Sequence, residues 1–163
     1  GGEARSRGVE AAVSYVPTHG LSLSANGAYT DARLTQNTPA SVNGNAGDRL
    51  PEAPFFSSTL SASYEHPLSS TIAGFGGIDW HYSGNRLSEF AVGAPRQTLP
   101  SSSMVDLRVG LRVKTYELTL YVKNAGDERV ISEVSAETVN GINAYSASVV
   151  IPRTIGLTLS GKY

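Results

Sequence analysis

Hydrophobic and polar residues alternate with a period of two in seven stretches of this chain. The clearest stretch is 104–113, where aliphatic residues at odd positions alternate with a mostly polar set at even positions. Successive side chains of a β-strand point to opposite faces, so this pattern predicts a strand with one apolar and one polar face. By the same criterion we predict strands at residues 4–16, 21–33, 56–65, 71–82, 104–113, 116–123 and 155–163.

The connections between these strands alternate in length. Short turns at residues 17–20, 66–70 and 114–115 alternate with long connections at 35–54, 83–101 and 124–152. Antiparallel membrane barrels have this rhythm, with short turns on the periplasmic side and longer loops on the extracellular side. The pattern therefore predicts an all-β, antiparallel meander, in which strands that are neighbours in sequence are also neighbours in the sheet.

Aromatic residues lie at both ends of the predicted strands, on their apolar faces. A membrane barrel carries two such rows, one at each interface between lipid and water. Predicted strand lengths of roughly 9–13 residues also fit tilted membrane strands, which need about 9–11. We therefore expect membrane-interface positions for Tyr15, Tyr64, Tyr116 and Tyr163 at the short-turn end, and for Tyr29, Phe56, Trp80 and Tyr82 at the long-loop end.

The fold class predicted from these patterns is a portion of an antiparallel transmembrane β-barrel. Two other classes share the alternation: a passive outer-membrane pore, and a soluble β-sandwich or lipocalin-like binding module. The soluble module would bury its aliphatic faces inward and spread its aromatic residues through the core. A membrane-barrel enzyme would need a serine–histidine pair facing lipid or the barrel mouth. The predicted apolar faces carry no histidine, so we expect no enzyme.

Seven strands cannot close a barrel in which every neighbour runs antiparallel, because closure needs an even number. Lipid offers no water to satisfy a bare strand edge, so we expect further strands before Gly1. The absence of an initiator Met agrees with a processed chain or a piece of a longer protein. The last predicted strand ends its apolar face on Tyr163, which suits a strand that pairs to close a barrel.

Composition narrows the possible functions. The chain has 163 residues, a net charge of −1 and no cysteine. A net charge near zero leaves no electrostatic footprint for nucleic acid or acidic lipid, and the lack of cysteine excludes disulfides and thiolate chemistry. No stretch approaches the ~20 consecutive apolar residues of a membrane helix. We expect no cofactor.

The polar faces and long loops hold the candidate binding residues. Asp106, Arg108 and Arg112 share one polar strand face and are predicted to form a network facing the barrel lumen. Asp79 and His81 share another polar face near the long-loop end, but two residues do not make a metal site. Loops on a rigid scaffold often carry binding, and arginine suits carboxylates or anionic chelates. The loop candidates are Arg86, Phe90, Arg96, Arg129 and Tyr145.

Six short stretches resemble, in the order of the chain, motifs of one family. Residues 2–10 (GEARSRGVE) resemble a "G-E-x-R-S-x-G-V-E" strand entry, and residues 29–32 (YTDA) resemble a "Y-T-D-A" strand end. Residues 47–54 (GDRLPEAP) resemble "G-x-x-L-P-x-x-P", and residues 152–157 (PRTIGL) resemble "P-R-x-x-G-L". Residues 106–110 and 120–127 resemble the penultimate strands, with Ala125 and Gly126 where "N-L-x-D" is usual. The ordered set covers nearly the whole chain and resembles the TonB-dependent outer-membrane receptors.

The resemblance implies a barrel of about 22 strands plugged by an N-terminal domain, of which this chain would supply about the last seven strands. It implies an outer-membrane location in a Gram-negative bacterium and TonB-energised uptake of a scarce nutrient, most often a ferric siderophore or similar chelate. The partners implied are the TonB complex through the absent plug region, outer-membrane lipid and, through the strand ending at Tyr163, the barrel-assembly machinery. Asp106, Arg108 and Arg112 would then face the plug.

Overall fold

The computed structural model describes residues 2–90, 97–139 and 142–161. Its strands are β1 (Ala4–Thr18), β2 (Leu21–Leu34), β3 (Phe56–Pro67), β4 (Ile72–Ser83), β5 (Arg86–Leu87), β6 (Thr98–Leu99), β7 (Ser102–Val113), β8 (Tyr116–Lys123), β9 (Ile131–Val139), β10 (Ile142–Val149) and β11 (Thr154–Gly161). In this part of the chain no helix is long and apolar enough to cross a membrane.

Seven strands form one antiparallel sheet in the order β1-β2-β3-β4-β7-β8-β11. Each strand pairs with the preceding long strand of the chain, so the predicted meander is confirmed. The first strands are long, with 15 residues in β1 and 14 in β2. They exceed the ~5–6 residues of an ordinary soluble strand and reach the length that a tilted membrane strand needs.

The register collects the apolar residues of all seven strands on one face. Residues directly opposite each other in a ladder point to the same face. One row runs Leu60, Trp80, Val105 across β3, β4 and β7, and a second row runs Leu107, Val122, Ile155 across β7, β8 and β11. The alternation predicted along each strand therefore becomes one continuous apolar surface.

This apolar surface is open to the surroundings. Val9 is 71% exposed and Leu159 is also 71% exposed, and the large hydrophobic residues in the middle of the strands are exposed as well. A water-soluble monomer seldom exposes an apolar patch of this extent. The hydrophobic side chains that are buried, among the described residues, are Ala32, Leu34, Leu99 and Val130. No second layer covers the apolar face of the sheet in the described chain, whereas a soluble sandwich packs a second sheet there.

The short turns occur where they were predicted. Gly20 has φ 81° in the β1–β2 turn, a left-handed conformation that suits glycine. Lys114 has φ 53° in the two-residue turn between Val113 and Tyr116. Two-residue hairpin turns require such left-handed residues because their twist must match that of the flanking strands. All three short turns lie at one end of the sheet.

Two predicted loops contain strands that the alternation did not indicate. The 83–101 connection contains the β5–β6 pair, and the 124–152 connection contains the β9–β10 hairpin. Predicting these connections as plain loops was therefore wrong. Residues 131–139 mix serine, alanine and threonine with a few aliphatic residues, so the period-2 signal is weak. A ribbon that stands beyond the sheet has no membrane-facing side to enforce strict alternation.

Candidate functional site

Aromatic side chains lie in two rows along the apolar face. Tyr15, Tyr64 and Tyr116 lie at the short-turn end, and Tyr29, Phe56, Trp80 and Tyr82 lie at the long-loop end. In the second row the Phe56 and Tyr82 rings are 6.0 Å apart and the Trp80 and Tyr82 rings 5.9 Å apart. Trp80 also donates its indole N–H to Ser103 Oγ at 2.7 Å. Tyr163 lies outside the described residues.

A charged network occupies the polar face towards the short-turn end. Arg108 Nη1 lies 2.7 Å from Asp79 Oδ2. Arg112 lies 2.9 Å from Glu65 Oε1 and 3.0 Å from Glu117 Oε2, so one guanidinium bridges two carboxylates from β3 and β8. Arginine presents a rigid fork of donors that suits such bridging. All of these groups except Asp79 line a hollow of about 530 Å³ on the polar face.

The three residues predicted to share a lumen network are divided by the structure. Arg108 and Arg112 both line the 530 Å³ hollow. Asp106 instead accepts the backbone N–H of Asn124 at 2.8 Å, which anchors the beginning of the last long loop. The sequence analysis did not single out Glu65 and Glu117. Once the turn after Val113 is recognised, pairing across it places Glu117 opposite Arg112, so this signal was present in the sequence.

Gly77 provides the space in which the Arg108 guanidinium lies. Gly77 and Arg108 are cross-strand partners on the polar face. A Cβ at Gly77 would lie 2.9 Å from Arg108 Nε and 3.0 Å from Arg108 Cζ. The glycine therefore lets the long side chain lie flat on β4, where it reaches Asp79.

Asp79 and His81 have separate partners. The carboxylate of Asp79 is engaged by Arg108, while His81 Nδ1 lies 3.3 Å from Thr59 Oγ1. His81 lines a smaller hollow of about 290 Å³ near the long-loop end, together with Met104, Asp106 and Lys123. Within the described residues no group of three or more His, Cys, Asp or Glu side chains is placed to hold a metal ion.

Arg86 ties three long loops together. Its Nε lies 2.8 Å from Glu52 Oε2, and its Nη2 donates to the backbone carbonyls of Ile131 (3.3 Å) and Ser132 (2.8 Å). The Arg86 side chain is only 11% exposed, whereas the Glu52 side chain is 44% exposed, so the hydrogen bonds to the two carbonyls are the sheltered contacts. Glu52 N also donates to Leu87 O at 2.8 Å. The predicted ligand candidate Arg86 thus holds the loop layer together.

The remaining loop candidates lie in different surroundings. Phe90 lines a hollow of about 230 Å³ with Arg33, Asp48 and Arg49, and its ring lies against the buried Gly44. Arg129 is largely exposed and lies 3.3 Å from Asp127 Oδ2. Arg96 and the side chain of Tyr145 lie outside the described residues.

Asn124 is a buried residue whose side chain makes three hydrogen bonds, and the sequence analysis did not single it out as functional. Its side chain is almost fully enclosed, and the residue is 4% exposed. Nδ2 donates to Glu128 O (3.0 Å) and Ile151 O (3.3 Å), and Oδ1 accepts the Glu128 N–H at 2.9 Å. Asn124 therefore joins the two ends of the 124–153 connection. It belongs to the 120–127 motif, which gives that motif a structural role at the base of the loop.

Asp127 reinforces the same junction. Its Oδ1 accepts the backbone N–H of Arg153 at 3.0 Å, at the entry to β11. That hydrogen bond, with the positive charges of Arg129 and Arg153, lowers the pKa of the Asp127 carboxyl below its ordinary value. The carboxylate form is therefore the one that fits this position.

The geometry defines a class of protein: a portion of membrane barrel wall with an apolar outer face, a charged inner face and a layer of hydrogen-bonded loops at one end. The family model for the TonB dependent receptor-like β-barrel matches residues 1–125. The chain belongs to this family. Its members are outer-membrane proteins of Gram-negative bacteria, so the long-loop end is extracellular and the short-turn end periplasmic.

Solved structures share the fold. The ferric yersiniabactin uptake receptor FyuA from Yersinia pestis matches with a TM-score of 0.79 and 21% identity, over 97% of this chain and 23% of that one. The closed form of the ferric-catecholate import receptor Fiu from E. coli K12 matches with a TM-score of 0.70 and 21% identity, over 97% and 21%. This chain thus spans less than a quarter of either receptor. No curated protein sequence matches the chain significantly.

Proposed function

We propose that this chain forms part of an outer-membrane receptor for a ferric siderophore or similar chelate, taken up with energy from TonB. The observation that carries the proposal is the loop layer held by Arg86 above a polar inner wall. Rigidly joined extracellular loops give a binding mouth a fixed shape, which a passive pore does not need. The receptors FyuA and Fiu, which share the fold, are both named for ferric ligands.

In this proposal the ligand contacts come from the extracellular mouth. His81 and Phe90 line hollows at that end, and Arg129 is an exposed cation there. Arg96 and Tyr145 belong to the same connections by sequence and stay proposed contacts. Basic and aromatic groups suit an anionic chelate, because charge-assisted hydrogen bonds to its oxygens are strong. The function is transport, with no bond chemistry.

The partners follow from the same proposal. An N-terminal plug outside this chain would contact TonB, and the greater length of FyuA and Fiu supports such a further part. The ion-paired Arg108 and Arg112 would face that plug across the 530 Å³ hollow. The strand ending at Tyr163 would be recognised by the barrel-assembly machinery, and its exposed apolar face would contact outer-membrane lipid.

An uptake assay tests the proposal. Cells that carry the full-length receptor should accumulate iron-55 from a panel of ferric siderophores, and cells with the gene deleted should not take up the chelate concerned. Removing TonB should abolish this uptake while leaving binding of the chelate to whole cells intact. Uptake that continues without TonB and rises linearly with chelate concentration would instead identify a passive pore.

A further inference from the structure

The single methionine of the chain lies on a strand face that otherwise carries charged residues. Met104 belongs to the lumen-facing side of β7, which it shares with Asp106, Arg108 and Arg112. Its direct cross-strand partner is His81 of β4. Opposite residues in an antiparallel ladder have Cβ atoms about 4.5–5.5 Å apart. A thioether and an imidazole are therefore neighbours on the inner wall.

The two side chains open into the same cavity. Met104 and His81 both line the hollow of about 290 Å³ at the long-loop end, and Asp106 lines it as well. All three residues are partly buried. His81 directly follows Trp80, so the hollow lies on the lumen side of the wall at about the height of the extracellular aromatic row. Sulfur, nitrogen and oxygen donors therefore share one space.

The imidazole is oriented by a hydrogen bond and keeps one nitrogen free. His81 Nδ1 lies 3.3 Å from Thr59 Oγ1 on β3, and within the described chain Nε2 has no hydrogen-bond partner. Metal-binding histidines have this arrangement, in which an outer-shell partner fixes one ring nitrogen and the other nitrogen is the ligand. The Met104 sulfur likewise makes no hydrogen bond to a described residue. Both donor atoms are therefore available to a ligand.

The charges around the hollow balance one another. Asp106 Oδ1 accepts a backbone N–H at 2.8 Å, and Lys123 lines the same hollow with its Nζ 5.8 Å from the centre of the Tyr121 ring. Asp79, the other acid beside His81 on β4, is neutralised by Arg108 at 2.7 Å. A hollow without surplus negative charge does not suit Ca²⁺ or Mg²⁺, which need several oxygen ligands. It suits a monovalent ion that binds through neutral sulfur and nitrogen.

The donor atoms select the metal. Thioether sulfur favours Cu⁺ among the biological metals, and imidazole is also a copper ligand. Structural Zn²⁺ takes four ligands, and the described residues hold no group of three His, Cys, Asp or Glu side chains placed for a metal ion. Cu⁺ accepts as few as two or three soft ligands. The pair of His81 and Met104 is therefore sufficient for Cu⁺ and insufficient for Zn²⁺.

We propose that His81 and Met104 form a binding site for Cu⁺ on the lumen side of the extracellular mouth. His81 Nε2 and the Met104 sulfur are the ligands, and the Asp106 carboxylate beside them offsets the charge of the ion. Copper stays Cu⁺ throughout, with no redox step. The site uses residues of β4 and β7 alone, so it does not depend on which ferric chelate the receptor takes up.

Cu⁺ affinity is measured on the full-length receptor in detergent, without oxygen, by competition with the coloured Cu⁺ chelator bicinchoninate. Met104→Leu keeps an apolar side chain of similar size and removes the sulfur. Loss of an outer-shell partner alone costs roughly 10- to 100-fold in metal affinity, so loss of this ligand should weaken Cu⁺ binding at least about 100-fold. Thr59→Val removes only the hydroxyl that orients the His81 ring and should weaken binding about tenfold.

His66→Gln is the matched control, because it removes an exposed histidine at the short-turn end of β3 and should leave Cu⁺ affinity unchanged. Unheated gel mobility shows that each variant has kept its folded barrel. Ag⁺, which has similar ligand preferences, should compete with Cu⁺, whereas Zn²⁺ should not. Unchanged affinity in Met104→Leu, or equal competition by Zn²⁺, would overturn the proposal. The assay contains no ferric chelate, so its outcome is independent of the uptake assay.

Discussion

Replacing Asn124 by Ala should open the base of the last extracellular loop without disturbing the sheet. The change removes two donated hydrogen bonds and one accepted bond, and leaves the N–H and C=O of Glu128 and the C=O of Ile151 without this partner. It also places alanine at φ 49°, a left-handed conformation that asparagine tolerates better. Both effects act where the chain leaves β8 and enters β11.

The size of the effect follows from these contacts. Each hydrogen bond contributes about 1 kcal/mol net, so three give about 3 kcal/mol. The left-handed backbone adds about 1 kcal/mol for alanine. A total of about 4 kcal/mol corresponds to a local opening equilibrium shifted by nearly 10³-fold. The loss stays local, because the ladder between β8 and β11 involves neither the Asn124 side chain nor its φ.

Hydrogen exchange on the full-length receptor measures this opening. The amides of Asp127, Glu128 and Arg153 should exchange faster by two to three orders of magnitude, while amides in the middle of β8 keep their rates. Asn43→Ala is the matched control, since Asn43 has φ 60° but is exposed and its side chain has no hydrogen bond in the described structure. If Asn124→Ala exchanges no faster than this control, the buried hydrogen bonds do not hold the loop base and the reasoning is wrong.

Three further predictions concern a glycine in the sheet, the turn residue Lys114, and the stability of the loop base at acidic pH. Gly110→Ala should lower the unfolding temperature in detergent, because a Cβ would lie 2.5 Å from Leu118 O; Gly76→Ala, whose nearest contact would be at 3.6 Å, should not. Lys114→Asn should raise the free energy of unfolding in urea by roughly 0.5–1 kcal/mol, since its φ of 53° suits asparagine better; an unchanged free energy of unfolding would contradict this. The lowered pKa of Asp127 stabilises the loop base above the ordinary carboxyl pKa, and this contribution is lost as the pH falls below about 4. The protection factors of the loop-base amides, taken relative to the intrinsic exchange rate at each pH, should therefore fall in acid for the wild-type receptor, and a similar fall in Asp127→Asn would refute the assignment.

The strands of the sheet were predictable because lipid imposes a strict rule on them. An outer face in contact with hydrocarbon tolerates few polar residues, so Val105 and Leu107 alternate sharply with Asp106 and Arg108. The β9–β10 hairpin does not need this strict alternation, and its mixed sequence therefore gives no clear period-2 pattern. The partners of individual side chains were harder to predict from sequence. Arg86, for example, donates to carbonyls that are 45 and 46 residues away, and no local sequence pattern indicates such a contact.

The seven-stranded sheet and the loop layer are stabilised by different interactions. This difference affects which residues can be substituted without loss of stability. The sheet buries little of itself, and its cohesion comes from ladder hydrogen bonds and from the lipid around it. The loop layer, in contrast, has a small protein core that includes Leu99, at 1% exposure, which is the cross-strand partner of Arg86; the buried Asn124 anchors the last loop. Because these anchors sit at the bases of the loops, residues farther out are free to vary without loosening either part. Under the proposed function, substitutions at Arg129 should therefore alter ligand affinity with little change in stability, because its ion pair with Asp127 is largely exposed to water, whereas substitutions at Arg86 should alter both.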